Sequence, residues 1–442
     1  MNHENFTRED FLRAQDRYKV QQSRASKKWL RLVWLLAGPG VLVMLGENDG
    51  PSMVSYATTG ATYGVGFFVP FILLTFIMAY IVQEMTVRLG VATQRGHAEL
   101  IFQRFGPFWG YFAMADLVFG NLLTLVTEFI AVQAGGLYFG IPAPASVGIG
   151  VTLVITSLLL RRYATWERMV MGLATGNLLF IPAALMAHPN PAAIAHALAS
   201  WGPLPGGINN AFITLILANI GATVTPWMIF FQQSAVVDKG LTRADLTQGR
   251  IDTGLGALLA ALAAIATVVA AAPLFAAHTD ISQFASGADF ATALKPIIGS
   301  TGASLFALGI IEAGLVAALT ISTSSSYALA ETLSAKHSFN LDFGSGWLFY
   351  GAAIGSTLIA AGIVLIPGAP LLAMTLTVNV IATLLMAPAL LLLLLLVNDR
   401  DIMGGLANGR FANIAGGAIV LFICLAGATY GLITVFPSVG GG

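Results

Sequence analysis

Glu47-Asn48-Asp49-Gly50-Pro51-Ser52 sets two carboxylates, a carboxamide and a hydroxyl beside a Gly-Pro pair. The stretch interrupts an apolar run that begins near Trp34 and resumes at Met53. Glycine loosens the chain and proline removes a backbone donor, so a continuous helix is disfavoured there. Acids inside a membrane-length segment are costly unless they face a cavity or a partner. Carboxylates joined by carbonyls from unwound backbone are oxygen ligands, the usual form of a cation site in a discontinuous membrane helix. The alternative is a plain loop between two short buried helices. A second interruption runs from Asn219 to Trp227, and the apolar pattern resumes at Met228-Ile229-Phe230-Phe231. Pro226 denies the carbonyl of Ala222 its usual amide partner, and Thr225 adds a hydroxyl. Both oxygens suit a hard divalent cation. The alternative is a simple proline kink.

The elements that must position these stretches are membrane helices. The 442 residues are 57% hydrophobic and 10% charged, with a mean hydropathy of +0.81. A soluble domain carries about 25% charge, so the chain reads as an all-α polytopic membrane protein. Its 48 glycines suit close helix contacts in lipid. A single cysteine, Cys424, excludes an internal disulfide framework and a cysteine-cluster metal site. The first thirty residues are polar and charged without a short apolar core, so no cleavable signal peptide is expected. No Gly-rich phosphate loop with its lysine is visible and no soluble domain is inserted, which argues against ATP-driven pumping. Neither nucleotide nor nucleic acid is an expected partner. Divalent ions and membrane lipid are, and one chain is expected to suffice.

Apolar segments fall near 33–55, 61–82, 108–139, 146–161, 168–187, 211–236, 254–275, 302–333, 345–366, 370–397 and 411–436, which predicts eleven transmembrane helices. With the N-terminus in the cytoplasm of an inner-membrane protein and the C-terminus outside, every Lys and Arg except Lys295 lies on the cytoplasmic side. Spans one and six are both interrupted and stand five helices apart. That pairing points to a LeuT-like 5+5 inverted repeat with broken helices 1 and 6. The expected organisation is a basic tail over 1–31, a first repeat over 32–188, an extracellular loop over 189–210, a second repeat over 211–397, and a loop with helix 11 over 398–442. Residues 276–300 read as a further external loop.

The residues also resemble the NRAMP family of divalent metal-ion transporters. Gly38-Pro39-Gly40 followed by Asp49 matches the spacing of that family's first helix, and Arg88-Leu89-Gly90-Val91-Ala92-Thr93 after Gln83 its stretch beyond helix two. Phe139-Gly140-Ile141-Pro142 resembles the end of its third helix. Gly221-Ala222-Thr223-Val224 before Pro226 matches its sixth, and Asn398-Asp399-Arg400 with Met403-Gly404 its loop after the tenth. The ordered set spans nearly all of the chain after residue 36.

The resemblance implies metal ligands at Asp49, Ser52, Ala222, Thr225 and Asn379. Where typical members carry Asp-Pro-Gly-Asn, this chain has Asp49-Gly50-Pro51-Ser52, so the asparagine ligand becomes Ser52. The family's methionine ligand becomes Thr225, its two helix-six histidines become Trp227 and Gln232, and a glutamine near the metal becomes Asn379. Loss of the thioether leaves oxygen donors, which suit magnesium or manganese. Shorter side chains leave room for a partly hydrated ion. These changes resemble the NRAMP-related magnesium transporter branch and imply import of Mg2+ first and Mn2+ second by alternating access, with no other cofactor. Without the histidines, and with no arginine in spans eight to ten, obligatory proton coupling is not expected. Glu47 and Asn48 read as further groups at the site; Asp116, Glu128 and Glu312 as pathway acids or structural partners; Tyr56 and Thr59 as vestibule residues. Two other functions stay open: a proton-coupled Mn2+/Fe2+ transporter of the typical kind, and a sodium-coupled amino-acid or amine symporter of the same fold. A non-transporting receptor would leave the buried polar breaks without a use, whereas a channel differs only in letting both gates open together. Enzymatic activity is not expected.

Overall fold

The computed structural model describes residues 8–368 and 370–435. Among the described residues the regular elements are all helices. It begins with α1 (Arg8–Ala25), α2 (Trp29–Leu36), α3 (Pro39–Glu47), α4 (Gly50–Tyr63) and α5 (Phe68–Thr93). It continues with α6 (His97–Phe105), α7 (Pro107–Tyr138), α8 (Ala143–Leu158), α9 (Tyr163–Ala174), α10 (Phe180–Met186) and α11 (Pro191–Ser200). Then come α12 (Asn210–Gly221), α13 (Pro226–Asp238), α14 (Leu246–Ala276) and α15 (Gly287–Thr332). The last are α16 (Trp347–Val364), α17 (Leu371–Asn398), α18 (Arg400–Met403) and α19 (Arg410–Val435).

Among the described residues, nine helical stretches are long and apolar enough to cross a membrane, and α8 is a shorter apolar helix. Their outer surface stays apolar: Ile77, Leu258, Leu391 and Leu425 are all exposed. An exposed shell of this kind is what lipid requires. Inside it, α14 packs on α3, α4 and α5, and α15 packs on α7 and α16.

Several boundaries differ from the expected ones. The second span runs over Phe68–Thr93 rather than from residue 61, because α4 continues to Tyr63 before Gly64 caps it with a φ of 65°. Residues 189–210 hold a helix as well as turns: Asn190 accepts from the amides of Ala192 and Ala193, and Pro191 opens α11. Proline at the first helical turn starts a helix instead of stopping one. Residues 276–300 are likewise mostly helical, since Ser286 and Asp289 form a reciprocal capping box that starts α15. Gly299, with φ 76°, marks a kink within that helix. From Arg8 onward the basic tail expected over 1–31 forms α1 and the start of α2; residues 1–7 lie outside the described residues.

The ion pairs gather around α1 and the connections expected on one side. Arg17 and Arg24 both reach Asp245, at 2.7 and 2.8 Å, and Arg162 reaches Asp16 at 3.0 Å. Lys239 bridges Glu167 and the carbonyl of Ala37, each at 2.6 Å. Asp252 accepts from the amides of Gly38 and Gly40, which fixes the entry to α3. The charged groups thus hold the base of the same helix that carries Glu47.

Candidate metal centre

Helix α3 ends at Glu47, and α4 begins at Gly50 with Asp49 as its N-cap. Asp49 Oδ1 accepts from the Ser52 amide at 2.8 Å, a standard use of an aspartate at a helix start. Helix α12 ends at Gly221, and α13 begins at Pro226 with Thr225 as its N-cap in extended backbone. Proline at the first turn of α13 needs no amide partner, which is why the chain re-enters the helix there.

These two breaks face each other. The Thr225 hydroxyl donates to Glu47 Oε2 at 2.7 Å. Tyr56, one turn into α4, donates its hydroxyl to the Ala222 carbonyl at 2.8 Å, with Thr223 Oγ1 at 3.1 Å. Tyr56 is also within Coulombic reach of both Glu47 and Asp49. Asn379 of α17 donates to Ser55 Oγ at 2.9 Å, beside Tyr56. Glu47, Asn48, Asp49, Ser52, Ala222, Thr225, Trp227 and Asn379 are all buried.

Helix α7 supplies a third acid. Glu128 Oε2 accepts from the Gly50 amide at 2.9 Å, and Glu128 lies within Coulombic reach of Asp49 and Glu47. Gly50 leaves the room for this approach, since a Cβ there would stand 3.2 Å from Glu128 Oε2 and would collide with Ala131. Sequence reading left Glu128 without an assigned neighbour. The signals were an acid inside an apolar span and a family match offset by one residue, and neither names what the acid faces.

The freed oxygens expected from the sequence already have partners. The Ala222 carbonyl is taken by Tyr56, and the Thr225 hydroxyl is spent on Glu47. Ser52 Oγ, Glu47 Oε1 and Glu128 Oε1 are buried polar atoms without a hydrogen bond. These three oxygens border the break, as does the unpartnered Asn48 Oδ1, and all are open to a further partner. Among the described residues, no group of three or more His, Cys, Asp or Glu is arranged to hold a metal ion. The centre therefore depends on carboxylates supplemented by neutral oxygens. The nearby thioether, Met53, is engaged by the Thr267 hydroxyl at 3.2 Å.

Other expected residues have partners of their own, and Trp227 stays beside Glu47. Asn48 donates to the Ala260 carbonyl at 2.8 Å and Gln232 to Thr253 Oγ1 at 2.9 Å, so both brace α14. The Trp227 ring lies against the Gly46 position, where a Cβ would stand 3.3 Å away. Its carbonyl accepts from Ser324 Oγ at 3.1 Å. Thr59 receives the Asn219 amide at 2.8 Å, a link between α4 and α12. Asp116 is partly exposed, twelve residues before Glu128 on α7, roughly 18 Å along the helix. Glu312 faces Asn177 and takes no part in this centre.

Two helix breaks that meet beside buried acids, inside a bundle of membrane helices, define a membrane transporter. The solved structures agree on the fold. A manganese transporter of Eremococcus coleocola, solved with an aromatic bis-isothiourea compound, aligns over 90% of this chain and 86% of its own with a TM-score of 0.72 at 20% identity. A Na+-coupled sialic acid symporter aligns over 96% of each chain with a TM-score of 0.54 at 15% identity. The fold is LeuT-like. The chain belongs to the natural resistance-associated macrophage protein-like family, Nramp, whose pattern matches residues 40–433. Among curated relatives, the divalent metal cation transporter MntH of Pectobacterium carotovorum is 25% identical over 91% of this chain and 94% of its own. MntH 1 of Pseudomonas aeruginosa is 28% identical over 64% and 66%.

Proposed function

We propose that this protein carries divalent metal cations across the membrane by alternating access, with Mn2+ as its main substrate. The single observation that carries the reading is that the two breaks face each other beside buried acids, with Thr225 donating to Glu47 and Glu128 accepting from the Gly50 amide next to Asp49. The manganese preference rests on the relatives, which are divalent metal cation transporters and a manganese transporter. This reverses the order expected from the sequence, which put Mg2+ first. One observation keeps Mg2+ as a second substrate: Thr225 replaces a thioether at the break and Met53 is engaged by Thr267, so the donors are oxygens. Assignment to a magnesium branch finds no further support.

Asp49 is the direct ligand, with Ser52, Thr225, the Ala222 carbonyl and Asn379 completing the set directly or through water. Buried acids at and beside the break favour a dication over a monovalent ion. When the dication leaves, protons are the natural replacement, and Glu128 is placed to hold one. Proton exchange is therefore part of this proposal, in place of the uncoupled flux first expected. Eleven spans follow when the broken α3–α4 pair and the shorter α8 join the nine long stretches. The repeats over 32–188 and 211–397, with the N-terminus inside and the C-terminus outside the inner membrane, complete the proposed organisation.

Uptake into proteoliposomes tests this. Purified protein should show saturable Mn2+ uptake with Mg2+ as a weaker competitor, accompanied by a change in internal pH. Asp49→Ala should abolish uptake while the protein stays folded. Absence of both Mn2+ and Mg2+ flux from folded protein would defeat the assignment.

A further inference from the structure

Glu312 lies on α15, is buried at 9% exposure, and stands outside the metal centre. Both of its carboxylate oxygens accept from one donor, Asn177 Nδ2, at 3.2 and 3.1 Å. Among the described residues, no lysine, arginine or histidine pairs with it. Asn177 is itself fully buried, and its Oδ1 has no partner. A buried carboxylate answered by one neutral amide lacks a positive charge. A buried amide oxygen without a donor keeps its full desolvation cost.

The backbone is shaped around this pair. The span Tyr163–Met186 tightens into a 3-10 turn over Thr175–Leu179, which carries Asn177 toward α15. At the neighbouring Gly176, a Cβ would stand 3.0 Å from the Glu312 carboxyl carbon, so the carboxylate occupies space that any side chain would fill. Rotation of the Asn177 amide about its last bond exchanges nitrogen and oxygen without changing its shape. Three oxygens carrying one negative charge then converge on one point. A dication would keep an unmatched charge there.

We propose that Glu312 and Asn177 bind a monovalent alkali cation, with Na+ as the ion to test. The ion would fasten the 3-10 turn to α15. Two residues further along α15, Gly314 packs against the Glu128 carbonyl, which places the site one helix away from the metal centre.

The test uses the full chain in lipid nanodiscs without divalent metal, so its result stands whether or not Mn2+ is transported. Isotopic Na+ binding and the thermal unfolding midpoint are measured in sodium chloride and in choline chloride of equal strength. We expect saturable Na+ binding and a midpoint raised by a few degrees in sodium. Glu312→Gln should abolish both effects, and Asn177→Ala should weaken Na+ binding about tenfold. Hydrogen exchange in the unaltered chain should slow over residues 172–180 and 308–316 when Na+ is added, which locates the ion even if a variant does not fold. Absence of Na+ binding would overturn the proposal, as would a midpoint that follows pH alone. Retention of Na+ binding by both folded variants would overturn it too, as would exchange protection confined to other segments.

Discussion

At the scale of single residues, the centre is a set of oxygens engaged with one another, and that engagement competes with any ion. Tyr56 holds the Ala222 carbonyl at 2.8 Å. Tyr56→Phe removes that competitor, and with a net hydrogen bond worth about 1 kcal/mol the expected gain in Mn2+ affinity is about fivefold by calorimetry. Thr225→Met both releases Glu47 and offers a thioether. Uptake of Cd2+ and Mn2+ should rise relative to Mg2+, and an unchanged ratio would refute the oxygen-donor account. His97 gives a separate prediction. Burial pushes its pKa down from 6.5 to about 4, and Gln233 opposes that shift through its contact with Nδ1 at 2.7 Å. The unfolded chain takes up a proton on His97 below pH 6.5, and the folded chain does so only near pH 4. Stability should therefore fall as pH drops from about 6.5 to about 4, by on the order of 3 kcal/mol. His97→Gln should flatten that part of the profile, as read by thermal unfolding in detergent.

At the scale of elements, α1 acts as a brace across the base of the bundle. Arg17 and Arg24 converge on Asp245, which also accepts from the Thr242 amide and hydroxyl. Removing both arginines leaves Asp245 those two local donors, so the double change Arg17→Ala with Arg24→Ala should lower stability by only about 1 kcal/mol. It should also make α1 more open to limited proteolysis, and unaltered cleavage would show that other contacts hold it. The two helix breaks were legible in the sequence because Gly50-Pro51 and Pro226 act locally. Their partners were not. Glu128 lies 78 positions from the Gly50 amide it accepts, and Tyr56 lies 166 positions from Ala222. Periodicity does not carry that information. Helix α11 and the start of α15 were read as loops because proline, serine and acid side chains serve turns and helix caps alike. The caps of Asn190 and Ser286 settle which role applies.

At the scale of the whole molecule, the candidate ligands are buried and the breaks of α3–α4 and α12–α13 close on each other. Of the basic residues read in sequence as lying on one side, Arg17, Arg24 and Arg162 pair at α1. The bond from Thr225 to Glu47 has a kinetic meaning. An open pore presents its ligands ready, and ions pass at rates set by diffusion. With the proposed ligands, an ion must first part Thr225 from Glu47 and Tyr56 from Ala222, and those contacts must re-form after it leaves. Each ion that crosses therefore waits for a rearrangement of the protein. Planar bilayer recordings should show no unitary current steps, and Mn2+ uptake should slow on cooling far more steeply than free diffusion does.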